Sequence, residues 1–541
     1  MCGKLSSLSM FLNVRTGVFF AVALGLLVWT TARQVDLFAF GCDGFGYARQ
    51  AQLFRDKGLL RGLDTYVDAP EAGFIIGVAK SVSSNSAQWS EAVAPHCHHY
   101  VAAVDRVVIE YPPGTGLILS LFPENRSLAF AFVIGMTLIS AVFVLLIVLT
   151  RSPNGAGGIL ALIIMALFDV TMMQPGAKAS ASVPVSMALI PFCAWLALVA
   201  FPPREKNGNV GLAIAFGLVA GLLVATRLAN VLLVAGVTCA IVINRQLWRP
   251  AMVRQSVDVS IAAIGGFVLT GGGLVLTANW LNVGTPFATT YSPIDATLPV
   301  LSERLLTTNL AYYYYMGKGF PAAAMLAATA ALVLRGLVLC HRPGDWSSHG
   351  AFIGAFVCFG LSLIFFCTHP IRVPYYMLPA SGMTLSLIAF DVLLGQTAKD
   401  VSKISALSSA VLVAPFLIFI VVRCVLLNPF SPRTTVPDEV RGSQAIVWAD
   451  LTSGTLLYYQ HKYAAKIVFA DACIQQRLIT EIARSGRPQY FIEDSSAMAE
   501  VIHRIAKSLQ IQQIGSFEAL AKYPIWKLDG SLTFEGIHWC P

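Results

Sequence analysis

The stretch Gly41-Cys42-Asp43-Gly44-Phe45-Gly46-Tyr47-Ala48-Arg49-Gln50-Ala51 sets a carboxylate just beyond the first long apolar segment of the chain, with a tyrosine four residues on. If the segment is helical, Asp43 and Tyr47 share a face, one turn apart. A carboxylate at this place suits a general base or a charge stabiliser. It suits equally the cap of an interfacial helix whose Phe45, Ala48, Ala51, Gln52 and Leu53 lean on the membrane surface. The roles are compatible, because a carboxylate at a helix start stays ionised at neutral pH. Further acids follow at Asp64, Asp68, Glu71, Glu91, Asp105 and Glu110. Glu110 stands out because it opens Glu110-Tyr111-Pro112-Pro113-Gly114-Thr115-Gly116, whose prolines and glycines read as a loop-to-helix signal. It is the candidate second carboxylate.

Three lone cations stand at the ends of apolar runs: Lys178 in Pro175-Gly176-Ala177-Lys178, Arg227 in Ala225-Thr226-Arg227-Leu228, and Arg372 in His369-Pro370-Ile371-Arg372-Val373-Pro374-Tyr375-Tyr376. Such side chains commonly snorkel to headgroups. A phosphate held at the membrane surface needs the same kind of partner, with Arg preferred for bidentate contact. Tyr312-Tyr313-Tyr314-Tyr315, with Trp280 and Tyr291, reads either as a sugar-stacking surface or as an interfacial aromatic belt. His96-Cys97-His98-His99 contains zinc-ligand types, but adjacent residues cannot all turn to one ion, and the run reads as a solvated loop. No metal and no cofactor is expected.

The elements that position these residues are mostly membrane spans. Of 541 residues, 56% are hydrophobic and only 12% charged, half the charged share of a soluble protein. The net charge of +8 comes from basic residues scattered singly, which argues against a nucleic-acid partner and for topology signals. Apolar runs at 17–32, 127–150, 156–173, 183–201, 210–226, 229–243, 257–278, 320–339, 350–368, 374–395 and 405–427 predict about eleven transmembrane helices. The positive-inside bias puts the N-terminus in the cytoplasm and the C-terminus outside, provided 210–226 and 229–243 are two spans and not one kinked span. Loops Leu37–Arg126, Gln174–Ser182 and Asn279–Phe320 then lie outside. Residues 1–427 form the multi-span domain with the long first outer loop 37–126, and 428–541 a soluble extracytoplasmic α/β domain, with strands near 445–448, 466–470 and 489–492 and helices near 474–484 and 497–509. Eleven cysteines form no CxxC pair, and Cys42 with Cys97 or Cys473 with Cys540 can pair outside the cytoplasm without the sequence deciding it.

These motifs together (Asp43 with Tyr47 and Ala51, Tyr111-Pro112-Pro113-Gly114, Gly221 through Thr226-Arg227, Asn282-Val283-Gly284-Thr285-Pro286-Phe287 with Tyr291, and Arg372 before Tyr375-Tyr376-Met377-Leu378-Pro379) make the chain resemble the bacterial GT-C membrane glycosyltransferases, relatives of protein O-mannosyltransferases and lipid A aminoarabinose transferases. Ser453-Gly454-Thr455-Leu456-Leu457-Tyr458-Tyr459 is similar to a stretch of the outer domain of such enzymes. The resemblance implies a GT-C-like fold in the bacterial inner membrane and a polyprenyl-phosphate-linked sugar donor. It also implies a lipid, glycan or protein acceptor outside the cytoplasm, and a catalytic carboxylate at Asp43. Family members often carry an acid after this Asp, where this chain has Gly44, and a second loop acid that Gln174–Ser182 lacks, which moves attention to Glu110. Tyr47, Tyr111, Tyr291 and Tyr375 are the candidate substrate-binding residues, and Arg372, Arg227 and Lys178 the candidate phosphate ligands. The implied reaction is an inverting displacement with Asp43 as base. A transporter or flippase, and an O-antigen polymerase or ligase, are the alternatives. Against transport, the charges lie at span ends and neither half mirrors the other.

Overall fold

The computed structural model describes residues 41–121, 181–201, 209–247, 250–291, 299–316, 320–341, 349–395, 434–442, 444–518 and 521–528. The chain divides into two compact units: one (Met1–Asp36, Ala129–Leu274, Ala296–Pro429) whose described residues are helical, here the helical unit, and one (Leu37–Leu128, Val275–Asp295, Phe430–Pro541) whose described residues combine helix and strand, here the mixed unit.

Among the described residues, Ser182–Ala200, Leu228–Arg245, Ser256–Val283 and Gly350–Thr368 are long and apolar enough to cross a membrane, and Val210–Thr226 and Ala324–Cys340 are shorter apolar helices. The runs 17–32, 127–150, 156–173 and 405–427 lie outside the described residues. Within the helical unit, Val231–Arg245 packs against Gly350–Thr368, and Val210–Thr226 against Pro250–Phe267 and Ser182–Ala200. Small residues permit the close approach: a Cβ on Gly236 would meet Cys358, and one on Gly354 would meet Ala240. The runs 210–226 and 229–243 are two helices. The chain breaks at Arg227, which is extended (φ −159°, ψ 120°), and restarts through a single turn Leu228–Asn230.

The mixed unit holds a hairpin of β1 (His98–Val101) and β2 (Arg106–Ile109). It also holds a five-stranded sheet formed by β3 (Ile446–Trp448), β4 (Ala464–Ala465), β5 (Gln489–Ile492), β6 (Ile511–Glu518) and β7 (Lys522–Leu528), in the order β4-β3-β5-β7-β6. Strand alternation sends Ile446, Trp448 and Phe491 to one face and Val447, Tyr490 and Ile492 to the other, and each face has its own apolar core. Helices Ala472–Arg484 and Ser496–Ser508 start on side-chain caps, Asp471 accepting from the Ile474 N–H (2.9 Å) and Ser495 from that of Met498 (3.1 Å). The expected strand at 466–470 is instead a turn of 3₁₀ helix, Ile467–Phe469, with the strand displaced to β4.

The first core also takes in the long loop. Ala72, Ile75, Ile76 and Ala79 of the helix Pro70–Val82 pack with Leu478, Ile479 and Ile482, and Trp89 and Val93 join the same cluster. The Tyr463 hydroxyl donates to the Val93 carbonyl (2.6 Å), the Lys466 N–H to that of Ala94 (3.2 Å), and Lys462 pairs with Glu71 (2.7 Å), both side chains nearly covered. Segments the sequence reading treats as a loop, 37–126, and a separate domain, 428–541, thus share one core.

Candidate active site

The helix Gly41–Gly62 begins the site. Asp43 occupies its first turn, half-buried, where unpaired backbone N–H groups favour negative charge. Its neighbour Cys42 is disulfide-bonded to Cys97, which ties the helix start to the segment entering β1. Gly46 lets an aromatic ring lie on the helix backbone, because a Cβ there would come within 2.5 Å of Tyr111 Cε2. Tyr111 stacks on Tyr47 (4.3 Å between centroids, 29° between planes) and meets Tyr291 edge-on (6.3 Å, 79°). Burial, then the charges of Asp43 and Glu110, push the Tyr111 phenol well above its ordinary range, so it remains a neutral donor. On the same helix Phe45 seats over Gly454, with no room there for a Cβ. That contact sets Ser453-Gly454-Thr455 against the helix.

Two expectations are corrected here. Phe45, Ala48, Ala51 and Leu53 do not lean on a membrane surface. They are buried within the unit, where helices Pro113–Ser120 and Ser453–Gln460 pack on Gly41–Gly62. His96 to His99 is not a solvated loop. His98 and His99 lie in β1 and are buried, because the hairpin is covered on both sides.

Glu110 follows β2. Its carboxylate meets His99 Nε2 at 2.7 Å, while His99 Nδ1 meets Glu91 at 2.9 Å and Lys466 Nζ lies 3.3 Å from the other oxygen of Glu91. Burial alone would raise both carboxylates, but the bond and charge of His99, helped by Lys466, outweigh it and hold Glu110 and Glu91 below their ordinary values. Burial likewise opposes charge on His99, and its two carboxylate bonds overcome this and raise it. His98, wholly buried with Nδ1 at 3.0 Å from the His96 carbonyl, is pushed down to about 3 and is neutral. Cys42, His96 and Cys97 bring ligand-type atoms within 4.8 Å of one another, but both sulfurs belong to the disulfide, so among the described residues this group offers no thiolate to a metal.

The Asn282 to Tyr291 segment frames the same place. Asn282 accepts from the Thr65 N–H (2.9 Å) and hydroxyl (3.0 Å) and donates to the Leu63 carbonyl (2.8 Å), while Thr65 Oγ accepts from the Ile109 N–H (3.1 Å). The Thr290 hydroxyl donates to the Glu110 carbonyl (2.5 Å). Asp43, Tyr47, Glu110, Tyr111 and Tyr291 are therefore brought together within the mixed unit.

Arg227, Arg372 and Tyr375 belong to the helical unit, and Lys178 lies outside the described residues. The break that exposes the backbone at Arg227 is sealed by Asn230, whose Nδ2 donates to the Leu223 carbonyl (2.9 Å) and to Ser186 Oγ (2.8 Å). The guanidinium sits 4.3 Å from the centroid of Tyr376 and 5.7 Å from that of Phe366. Its Nη1 is buried and has no hydrogen-bond partner among the described residues. Arg372 is exposed, 5.8 Å from the ring of Tyr312. Tyr375 packs edge-on against Tyr376 (5.6 Å), so the ring facing Arg227 is Tyr376, which sequence reasoning passed over for its neighbour.

In solved structures, the chain is similar to ArnT from Cupriavidus metallidurans in the apo state, with a TM-score of 0.50 at 13% identity over 95% of this chain and 98% of that one. The fold is of the GT-C type. ArnT is a GT-C lipid A aminoarabinose transferase, and at this identity the likeness speaks to the fold alone. With its apolar helices, the GT-C fold makes the chain a polytopic helical membrane protein. A second ArnT structure from the same organism, bound to undecaprenyl phosphate, aligns with a TM-score of 0.46 at 12% identity, over 94% of this chain and 97% of that one. No protein-family model and no curated protein matches the sequence.

Proposed function

We propose that the protein is a membrane glycosyltransferase that moves a sugar from a polyprenyl-phosphate carrier to a hydroxyl of an extracytoplasmic acceptor, with inversion. The observation that carries this reading is Asp43: a carboxylate in the first turn of a helix, braced by a disulfide and faced by stacked tyrosines, in a chain of GT-C fold. Asp43 takes the proton of the acceptor hydroxyl as its oxygen bonds to the anomeric carbon. The bond from that carbon to the lipid phosphate breaks, and its electron pair leaves on the phosphate oxygen. Tyr47, Tyr111 and Tyr291 are assigned to the sugar, with Tyr47 buried as the ring on which Tyr111 stacks and Tyr291 half-buried at its edge, and Tyr375 is assigned to substrate as well.

The departing phosphate is assigned to Arg227, whose buried Nη1 has no hydrogen-bond partner among the described residues and suits an anion, with Arg372 and Lys178 as further cations. Glu110 is the second carboxylate. The protein is placed in the bacterial inner membrane with its N-terminus cytoplasmic. The membrane domain lies within 1–427, and the loop 37–126, which shares a core with the segment 428–541, lies with it outside the cytoplasm. The disulfides of Cys42–Cys97 and of Cys473 support that side, since thiols stay reduced in the cytosol. Cys540, the partner the sequence offers Cys473, lies outside the described residues. Mass spectrometry of envelope glycolipids, polysaccharides and glycoproteins from cells with and without the gene tests the reading. It expects one pentose or hexose to be lost from one acceptor class, and an unchanged set of masses would overturn it.

A further inference from the structure

His99 touches two carboxylates at once, through Nε2 to Glu110 at 2.7 Å and through Nδ1 to Glu91 at 2.9 Å, with 3% of its side chain exposed. A neutral imidazole has one N–H and can donate to one of them only, which would leave the other short contact as lone pair against lone pair. The three groups must therefore share two protons. Lys466, bonded to the second oxygen of Glu91, favours the ionised form of Glu91. The second proton thus belongs to the His99–Glu110 contact.

We propose that His99 is a positioning residue, an imidazolium that fixes Glu110 as a permanent anion beside Tyr111, so that Glu110 charges and orients the site while Asp43 alone receives the acceptor's proton. The turnover readout of this proposal rests on the transferase reading. The protonation of the triad does not.

The groups facing His99 agree with this assignment. Behind Glu91 stands Lys466. In β1 the neighbour His98 is neutral, and the Gly41–Gly62 helix brings Arg49, whose charge His98 senses, and Asp43, whose charge reaches Tyr111. Of the remaining ionisable residues of the hairpin, Tyr100 and Asp105 are occupied with one another (2.7 Å) and with Lys80 (2.7 Å), and Arg106 pairs with Asp64 (3.5 Å). The two carboxylate bonds raise His99 against the effect of its burial. Turnover should therefore fall on the alkaline side as His99 loses its proton and Glu110 its anchor.

Glu91→Gln keeps the shape and removes one of the two negative partners. Loss of an opposite charge in contact lowers a histidine by about one to three units, so the alkaline limb of the kcat profile should move down by about that much, with the acid limb unmoved. Glu91→Asp, which keeps the charge, should restore it. The independent readout is ¹⁵N NMR of histidine-labelled full-length protein in nanodiscs, with the His99 signals assigned by their loss in His99→Asn. Both ring nitrogens should report as protonated at pH 7 in the wild type, and the transition should move to lower pH in Glu91→Gln. A neutral His99 at pH 7, or a Glu91→Gln loss of turnover equal at every pH, overturns the proposal. Absence of any sugar transfer overturns the functional reading, and the NMR transition still decides the state of His99.

Discussion

Replacing Cys42 and Cys97 together by alanine opens a bridge between residues 55 apart in sequence. Closing a loop of that length restricts the unfolded chain by about 14 cal/mol/K, roughly 4 kcal/mol at 25 °C. For a body the size of the mixed unit, about 1 kcal/mol moves a melting midpoint by roughly 2–4 °C, so the expected fall is about 8–16 °C. The assay is tryptophan fluorescence of full-length protein in detergent as temperature rises, since Trp89 and Trp448 both sit in the shared core. Wild type in reductant should fall at least as far, because Cys473 is also disulfide-bonded. A double variant that melts within about 2 °C of the oxidised wild type would refute the claim that this bridge braces the start of the Asp43 helix.

Lys462→Met strands Glu71 without its buried partner and should destabilise the mixed unit by about 3–5 kcal/mol, while adding Glu71→Leu should recover most of it, both read by the same melt. His98 is depressed to about 3 by burial, so below its ordinary value of about 6.5 the unfolded chain binds the extra proton. Stability should therefore drop as pH falls from about 6.5 towards 3, at up to about 1.4 kcal/mol per unit, and His98→Phe should flatten that part of the curve in acid-unfolding experiments. Glu91 and Glu110, held low, add loss of the same sign on acidification, whereas His99, held high, loses its contribution as pH rises through its raised value. Arg227→Gln should raise the KM for a polyprenyl-phosphate-sugar donor roughly 10- to 100-fold, the equivalent of about 1.5–3 kcal/mol for one charge-assisted bond, as measured by initial rates.

Much of the helical unit was legible because membrane spans announce themselves by length and hydropathy. The break at Arg227 was also visible, as a polar interruption between two apolar runs. In the C-terminal segment the helical periodicity near 474–484 and 497–509 was clear, and the helices run over Ala472–Arg484 and Ser496–Ser508, but the β6–β7 hairpin was not legible. Its register shifts between Gln513 and Gly515, which puts Ile511, Ile514 and Phe517 out of strict alternation, and Pro524 sits inside a central strand. The candidate site was legible in its residue types and not in the network that joins them. Asp43, Tyr47, Tyr111 and Tyr291 could be picked out by type and motif. The His99–Glu91–Glu110–Lys466 network could not, because its members come from the long loop and the distant C-terminal segment, and only a shared core joins them. A histidine run beside a cysteine drew attention to metal, when the informative feature was its place in a buried hairpin.

The central claim is that Asp43 is the base of a sugar transfer. Purified wild type and Asp43→Asn protein, matched for melting midpoint, are assayed for transfer from polyprenyl-phosphate-linked sugars to an envelope acceptor extract. A positioned base contributes about 10²- to 10⁴-fold, so the variant should lose that much in kcat while still binding the donor. Near-normal turnover by a folded Asp43→Asn protein would contradict the account.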